Sequence, residues 1–279
     1  MKKQINLLSI LVIVLAIFNA CDSQSDNNPT AWKTGVALYS FNNLPFAEAI
    51  GKVDSGHIKY MEGFSFYKLG KEYNDITMGD LSLQQINTMR ASFKKADAEM
   101  TSMYVGGGNT VEEWKKTFEM AKAFELEFIT CEPAKAQWDM IDSLAGVYKI
   151  KVALHNHAKE ISMYWHPDSV LAAIKGHPNF GACADIGHWV RSGLEPAACL
   201  KTLKGNILAL HVKDVDKSGS KDAADVMVGT GVIDFTKVVA ELKSQEYKGM
   251  LYMECEHNFG TNLPDIIQSI KFVDSLARK

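Results

Sequence analysis

"KVALHNHAKEISMYWHPDSVLAAIKGHPNFGACADIGH", Lys151 to His188, decides the fold. "KVALHNH" and "FGACADIGH" are short apolar runs of strand length. Between them "HPDSVLAAIKG" has helical periodicity, is entered at Pro167-Asp168 and stops at Gly176. Two apolar strands joined through a helix form a parallel βαβ unit, because only a crossover of that length returns the second strand alongside the first in the same direction.

The alternation continues outward on both sides. Upstream, "TGVALYSF", "HIKYMEGFSF", "MTSMYVGG" and "EFITCEP" read as strands. The helices between them are "PFAEAIGKV", "LSLQQINTMRASFKKADAEM", "TVEEWKKTFEMAKAFE" and "QWDMIDSLAGVYK". Downstream, "ILALHVKD" and "GMLYMECEHN" are strands. The helices there are "EPAACLKTLKG", "FTKVVAELKSQ" with Asp234 as its cap, and "LPDIIQSIKFVDSLARK". Eight strand–helix units in succession, with no compositional break, predict an α/β fold, a (β/α)8 TIM barrel. An open doubly wound sheet would need a glycine-rich turn after its first strand, and "LYSFNNLP" has none. "GTG" (229–231) lies in a loop and is a weak phosphate cradle.

The barrel is expected over residues 32–279. Before it, Lys2 and Lys3, the apolar run "LLSILVIVLAIF" and "NAC" have the layout of a signal peptide over 1–20. Cys21 is then placed for lipidation. A polar tether is expected over 21–31. The expected location is therefore outside the cytoplasm, periplasmic or outer-membrane-attached, with membrane contact only through the lipid. Loss of Lys2 and Lys3 takes the formal net charge from −3 to −5, since the leader carries no acid. A mildly acidic protein has no electrostatic attraction to nucleic acid. Cys131, Cys183, Cys199 and Cys255 show no close-spaced pair and read as buried thiols.

Polar residues collect at one end of successive strands. Glu132 ends the fourth; His155 and His157 the fifth; Asp185 the sixth, with His188 beyond; His211 and Lys213 the seventh; Glu254 and Glu256 the eighth. Residues i and i+2 share a strand face, so each pair points one way and Leu154, Leu210, Val212 and Met253 point to the helices. The reverse assignment would bury unpartnered charges under helices, at several kcal/mol each. Carboxylate and imidazole from four strands make a mixed O/N set suited to a divalent ion of the Mn, Co, Mg or Zn type.

"HNH", "DIGHWVRSGLEP", "LHVKD", "VGTGVIDF" and "YKGMLYMECE" resemble the xylose-isomerase-like TIM-barrel superfamily of sugar isomerases and epimerases, which includes inosose dehydratases and the family 2 apurinic-site endonucleases. The resemblance implies metal ligation by Asp185, His211 and Glu254. The fourth ligand stays open between Glu132 and a fifth-strand histidine, because many relatives carry glutamate where this chain has His155 and His157. It also implies proton abstraction next to a carbonyl through a metal-held enediolate. Glu132, His155, His157 and Glu254 are the candidate acid–base groups, and Lys213 is a cation for the developing charge or a salt-bridge partner. Reprotonation gives epimerisation or isomerisation, and loss of a β-substituent gives a lyase or hydratase acting on oxidised sugars or glycosides. His188, Trp189, Glu62, Tyr104 and Arg191 are the expected substrate contacts. Tyr39, Phe64 and Trp138 are further stacking candidates, while Phe41 and Phe66 are read as packing. A sugar-binding lipoprotein without catalysis is the alternative of another class. The chain leaves oligomeric state open.

Overall fold

In a computed structural model the chain is described over residues 32–279. The expected signal peptide, the tether and Cys21 lie outside the described residues. Eight strands close into one parallel barrel: β1 (Lys33–Ala37), β2 (Tyr60–Phe64), β3 (Glu99–Tyr104), β4 (Phe128–Cys131), β5 (Lys151–His155), β6 (Phe180–Asp185), β7 (Ile207–Val212) and β10 (Met250–Met253), which returns to β1. The intervening β8 (Asp214–Val215) and β9 (Asp225–Val226) form a small antiparallel hairpin in the loop after β7. The (β/α)8 TIM barrel read from the sequence is the observed fold.

The outer ring is α1 (Phe46–Ser55), α2 (Leu83–Lys95), α3 (Val111–Phe124), α4 (Trp138–Tyr148), α5 (Pro167–Ile174), α7 (Pro196–Thr202), α8 (Phe235–Ser244) and α9 (Leu263–Ala277). An additional short helix, α6 (Ile186–Arg191), follows β6 directly. Local chemistry sets their starts. Ser82 with Gln85 and Thr110 with Glu113 form reciprocal capping boxes, and Asp234 accepts from the Thr236 and Lys237 amides. No described helix is long and apolar enough to cross a membrane. The four cysteines at 131, 183, 199 and 255 are free and buried.

Leu154, Leu210, Val212 and Met253 are all buried in the apolar core, as strand alternation requires. Two polar devices set the upper rim. Asn156 exchanges both of its amide hydrogen bonds with the Asp185 backbone, its Nδ2 donating to the carbonyl and its Oδ1 accepting from the amide, each at 2.9 Å. Asp214 accepts from the Val215, Gly229, Gly231 and Ile233 amides, so the "GTG" loop wraps a carboxylate of its own chain.

β1 runs close to β2 at Gly35, which pairs with Tyr60 and Tyr252 on its two sides. A Cβ there would lie inside van der Waals contact of the Tyr60 carbonyl. Gly35→Ala must therefore spread the barrel seam, and is expected to lower stability by about 3 kcal/mol, the upper end for overpacking, measured by urea unfolding.

Candidate active site

The strand-end polar residues meet at the C-terminal mouth of the barrel, where active sites of this architecture sit. A cavity of about 300 Å³ opens there. His155, His157, His188, His211, Lys213 and Glu254 line one wall; Tyr39, Phe64, Phe66 and Tyr104 line the other.

The floor is built on Glu62, which is fully buried on β2. Its carboxylate accepts from Ser102 Oγ at 2.9 Å, Thr130 Oγ1 at 2.6 Å and His211 Nε2 at 2.5 Å. Tyr252 and Thr101 extend the chain of hydrogen bonds downward through Ser102. Because Nε2–H of His211 is given to Glu62, its Nδ1 is left facing the mouth, 2.9 Å from Glu254 Oε2 and 3.9 Å from Asp185 Oδ2.

A second carboxylate–histidine pair stands beside it. Glu132 Oε1 accepts from Nδ1 of both His155, at 2.8 Å, and His157. Tyr104 donates to the same oxygen at 3.2 Å, and Ser162 to Oε2. The other ring nitrogen, Nε2 of His155, lies 3.6 Å from Asp185 Oδ2. Asp185 is oriented by its own helix: Oδ1 caps α6 by accepting from the His188 amide, which turns Oδ2 inward.

Asp185 Oδ2, His211 Nδ1 and Glu254 Oε2 are buried and lie in no hydrogen bond. Ligands on a metal with bonds of about 2.0–2.2 Å are about 3.0–3.4 Å apart. His155 Nε2, Asp185 Oδ2 and His211 Nδ1 lie within 4.8 Å of one another, at 3.6 Å for His155–Asp185 and 3.9 Å for His211–Asp185, a group of three donors that could close on a divalent ion; Glu254 Oε2 adjoins it through His211 Nδ1, at 2.9 Å. Lys213 is the counter-charge: its Nζ is 3.2 Å from Asp185 Oδ2 and 3.1 Å from Glu254 Oε2, and it pairs with Glu256.

Electrostatics follow from this packing. Burial works against the charged form of Glu132, yet the hydrogen bonds from His155 and His157 outweigh it and hold its carboxyl well below the usual range. Burial likewise opposes the Asp185 and Glu254 carboxylates, and Lys213 leads the groups that lower both. Burial also drives His188 well below the usual histidine value, so its imidazole stays neutral. Burial disfavours the charged forms of His211 and Lys213, but Cys183 followed by the Glu254 and Glu62 carboxylates raises His211, and the Asp185, Glu254 and Glu256 carboxylates raise Lys213, each well above its ordinary value.

Several expectations are corrected. Glu132 stands on the Nδ1 side of His155, away from Asp185, and groups with His155 and His157, a second set of three that could hold a metal ion, and not with Asp185 and His211. Glu62 cannot touch substrate, being sealed beneath His211. Trp189 is fully buried in the core. Arg191 is spent on Asp225 at 2.8 Å and on the Ala223 carbonyl, bracing the β8–β9 hairpin. Trp138 donates to Tyr164 and is buried. Phe66, read as packing, is 47% exposed and lines the mouth. Tyr39, Tyr104 and His188 do lie at the mouth. Ser162 and Asn156 were not singled out from sequence. The signal for Asn156 was its place in "HNH", facing opposite to the histidines.

The family model described as "Xylose isomerase-like TIM barrel" matches residues 80–276. Among solved structures, an uncharacterised protein from Parabacteroides distasonis ATCC 8503 is 32% identical, with a TM-score of 0.71 over 88% of this chain and 99% of that one. An IOLI protein with a bound zinc atom superposes with a TM-score of 0.71 at 17% identity, over 88% of this chain and 97% of that one, a likeness of fold alone. An inosose dehydratase from Bacillus cereus (strain AH820) is 33% identical over 88 residues, 26% of this chain and 30% of that relative's length.

Two outcomes test the framework. Glu62→Ala strands three buried donors and is expected to cost about 3–5 kcal/mol, with Glu62→Gln costing less, by denaturant unfolding. Glu132 has a lowered folded-state pKa, so its contribution is complete above the unfolded value of about 4.3 and is lost as pH falls toward the folded one. Stability measured from about pH 5 down to 2 is therefore expected to fall less steeply in Glu132→Gln than in the parent.

Proposed function

The chain belongs to the xylose isomerase-like TIM barrel family, and from that premise we propose that it is a divalent-metal-dependent enzyme that isomerises or epimerises a sugar by removing a proton next to a carbonyl. The observation that carries the reading is the pair of carboxylate–histidine contacts, Glu62 to His211 and Glu132 to His155. Each orients one ring, so that the second ring nitrogens turn toward Asp185 Oδ2 and Glu254 Oε2. Carboxylates behind histidines in this way orient metal ligands and raise their basicity. His155, Asp185, His211 and Glu254 would hold the ion. When bound, it supplies a Lewis acid that polarises the sugar carbonyl and acidifies the adjoining C–H. The solved zinc-bound neighbour of the same fold is in keeping with this.

His157 is assigned as the base. It donates Nδ1–H to Glu132 and is the more exposed of the two histidines at 38%, against 3% for His155, so its Nε2 can reach a ligand. Glu132 then stabilises the imidazolium that forms, the role a carboxylate plays behind a catalytic histidine. Lys213 keeps the carboxylate-rich floor near neutrality, and Tyr104 limits how Glu132 can turn. His188, held neutral, offers a ring nitrogen to a sugar hydroxyl.

Similarity to an inosose dehydratase favours a second reading, in which the same proton removal is followed by loss of a β-hydroxyl. His157, once protonated, is placed to return its proton to a leaving oxygen.

Deuterium entry from solvent into keto-sugars, followed by NMR, separates the readings. Exchange with retained carbon skeleton is the isomerase outcome, and exchange with a new enone is the lyase outcome. His157→Asn is expected to slow exchange by about 10²–10⁴-fold while still binding Mn²⁺. His155→Asn is expected to lose Mn²⁺ by calorimetry. Exchange that persists after thorough chelation, or a His157→Asn variant at full rate, would sink the proposal.

A further inference from the structure

Phe66 is the anomaly of the mouth. Its ring is held edge-on against Tyr39, Phe64 and Tyr104 at centroid distances of 6.4, 5.5 and 6.1 Å, yet nearly half of it is exposed. Three aromatic neighbours fix one edge, and the opposite face is left bare. That is a rigid apolar platform, ordered before any ligand arrives.

Behind Phe66 lies a second cleft of about 440 Å³, between the loops that follow β2 and β3. Phe66 lines both cavities. The floor of the outer cleft is Gly106–Gly108, and its walls carry Asp80, Asn109 and Lys116. The Asn109 side chain forms no hydrogen bond among the described residues. Gly107 has a φ of 80° that favours glycine, and a Cβ on Gly108 would press on Glu113. Gly106 has neither reason: its φ is not positive, and a Cβ would meet nothing within 4 Å. A side chain there would extend into open space that the cleft now occupies. The same three glycines also line a recess of about 170 Å³ that ends at Glu132, so the outer cleft meets the active-site wall at two places.

The mouth, at about 300 Å³, is at the lower limit for a small-molecule site. The outer cleft is larger, carries acceptor, amide and ammonium groups, and starts at an exposed aromatic face suited to the C–H face of a sugar or to an aryl ring. We infer that the site has two parts, and that its ligand is a glycoside, with the reacting ring in the mouth and a second ring lying across Phe66 into the Gly106–Gly108 cleft. This deepens the proposed function and rests on it for the identity of the reacting ring.

Saturation-transfer NMR on the full chain with Mg²⁺ tests it, using methyl glucoside as the one-ring probe and cellobiose, maltose and phenyl glucoside as two-ring probes. Saturation is expected on both rings, with the two-ring probes bound at least tenfold more tightly. Gly106→Val is expected to remove that advantage, lowering the two-ring to one-ring affinity ratio toward one. Phe66→Ala is expected to weaken both classes, and circular dichroism checks that each variant is folded. Two-ring probes that bind no better than methyl glucoside, or that receive saturation through one ring only, overturn the two-part site. If keto-sugars still exchange deuterium in that case, the reaction stands without it. Tighter binding of two-ring probes that is lost in Gly106→Val, with no exchange in any keto-sugar, supports the two-part site and overturns the reaction. No binding of any probe together with no exchange in any keto-sugar overturns both.

Discussion

The hydrogen bond between His211 and Glu62 carries the rest of the mouth. A carboxylate wholly removed from water costs several kcal/mol unless its oxygens are satisfied. Here Ser102, Thr130 and His211 satisfy them. Ser102 and Thr130 both donate to Oε1, which leaves Oε2 to the imidazole. The orientation of His211 is thus set from below, by the interior of the barrel, and not by whatever lies above it.

The same logic repeats one strand pair away, with a different degree of exposure. Glu132 is partly open to the cavity and has four donors, among them two imidazoles and the Ser162 hydroxyl from the loop after β5. One imidazole is buried and turned toward Asp185; the other is accessible. A single carboxylate therefore gives two adjacent histidines separate tasks by burial alone. Opposite them, the aromatic wall supplies shape and no charge. The mouth has a reactive side and a recognition side, divided along the barrel axis.

Much of this was legible in the sequence. The eight strands carry runs of apolar residues short enough to be told from the helices, and the helix starts read at Pro167 and Asp234 fall there in the fold. Strand alternation placed His155 with His157 and His211 with Lys213 correctly on the mouth side. What alternation cannot give is depth. Glu62 and Glu132 both end up facing inward, but only three-dimensional packing shows that one is sealed and the other reachable. Nor could periodicity distinguish Phe66, which packs along one edge only, from Phe41, which is enclosed. Trp189 and Arg191 were misplaced because the chain turns into α6 immediately after Asp185, so their side chains leave the mouth within a turn.

The rim is braced unevenly. On the side of β5 to β8, the Asn156–Asp185 exchange, the Lys159 amide on Ser192, Arg191 on Asp225 and the Gly219 amide on Val190 tie neighbouring loops to one another. Across the barrel, the β2–β3 edge is joined by the Ser65 amide on the Tyr104 carbonyl at 2.8 Å and by the Gly106 amide on Ser65 Oγ at 3.3 Å. Thermal opening of the rim concentrates where the cross-links are fewest. The cross-links are thus densest on the histidine side of the mouth, where the spacing of imidazoles and carboxylates has to be kept.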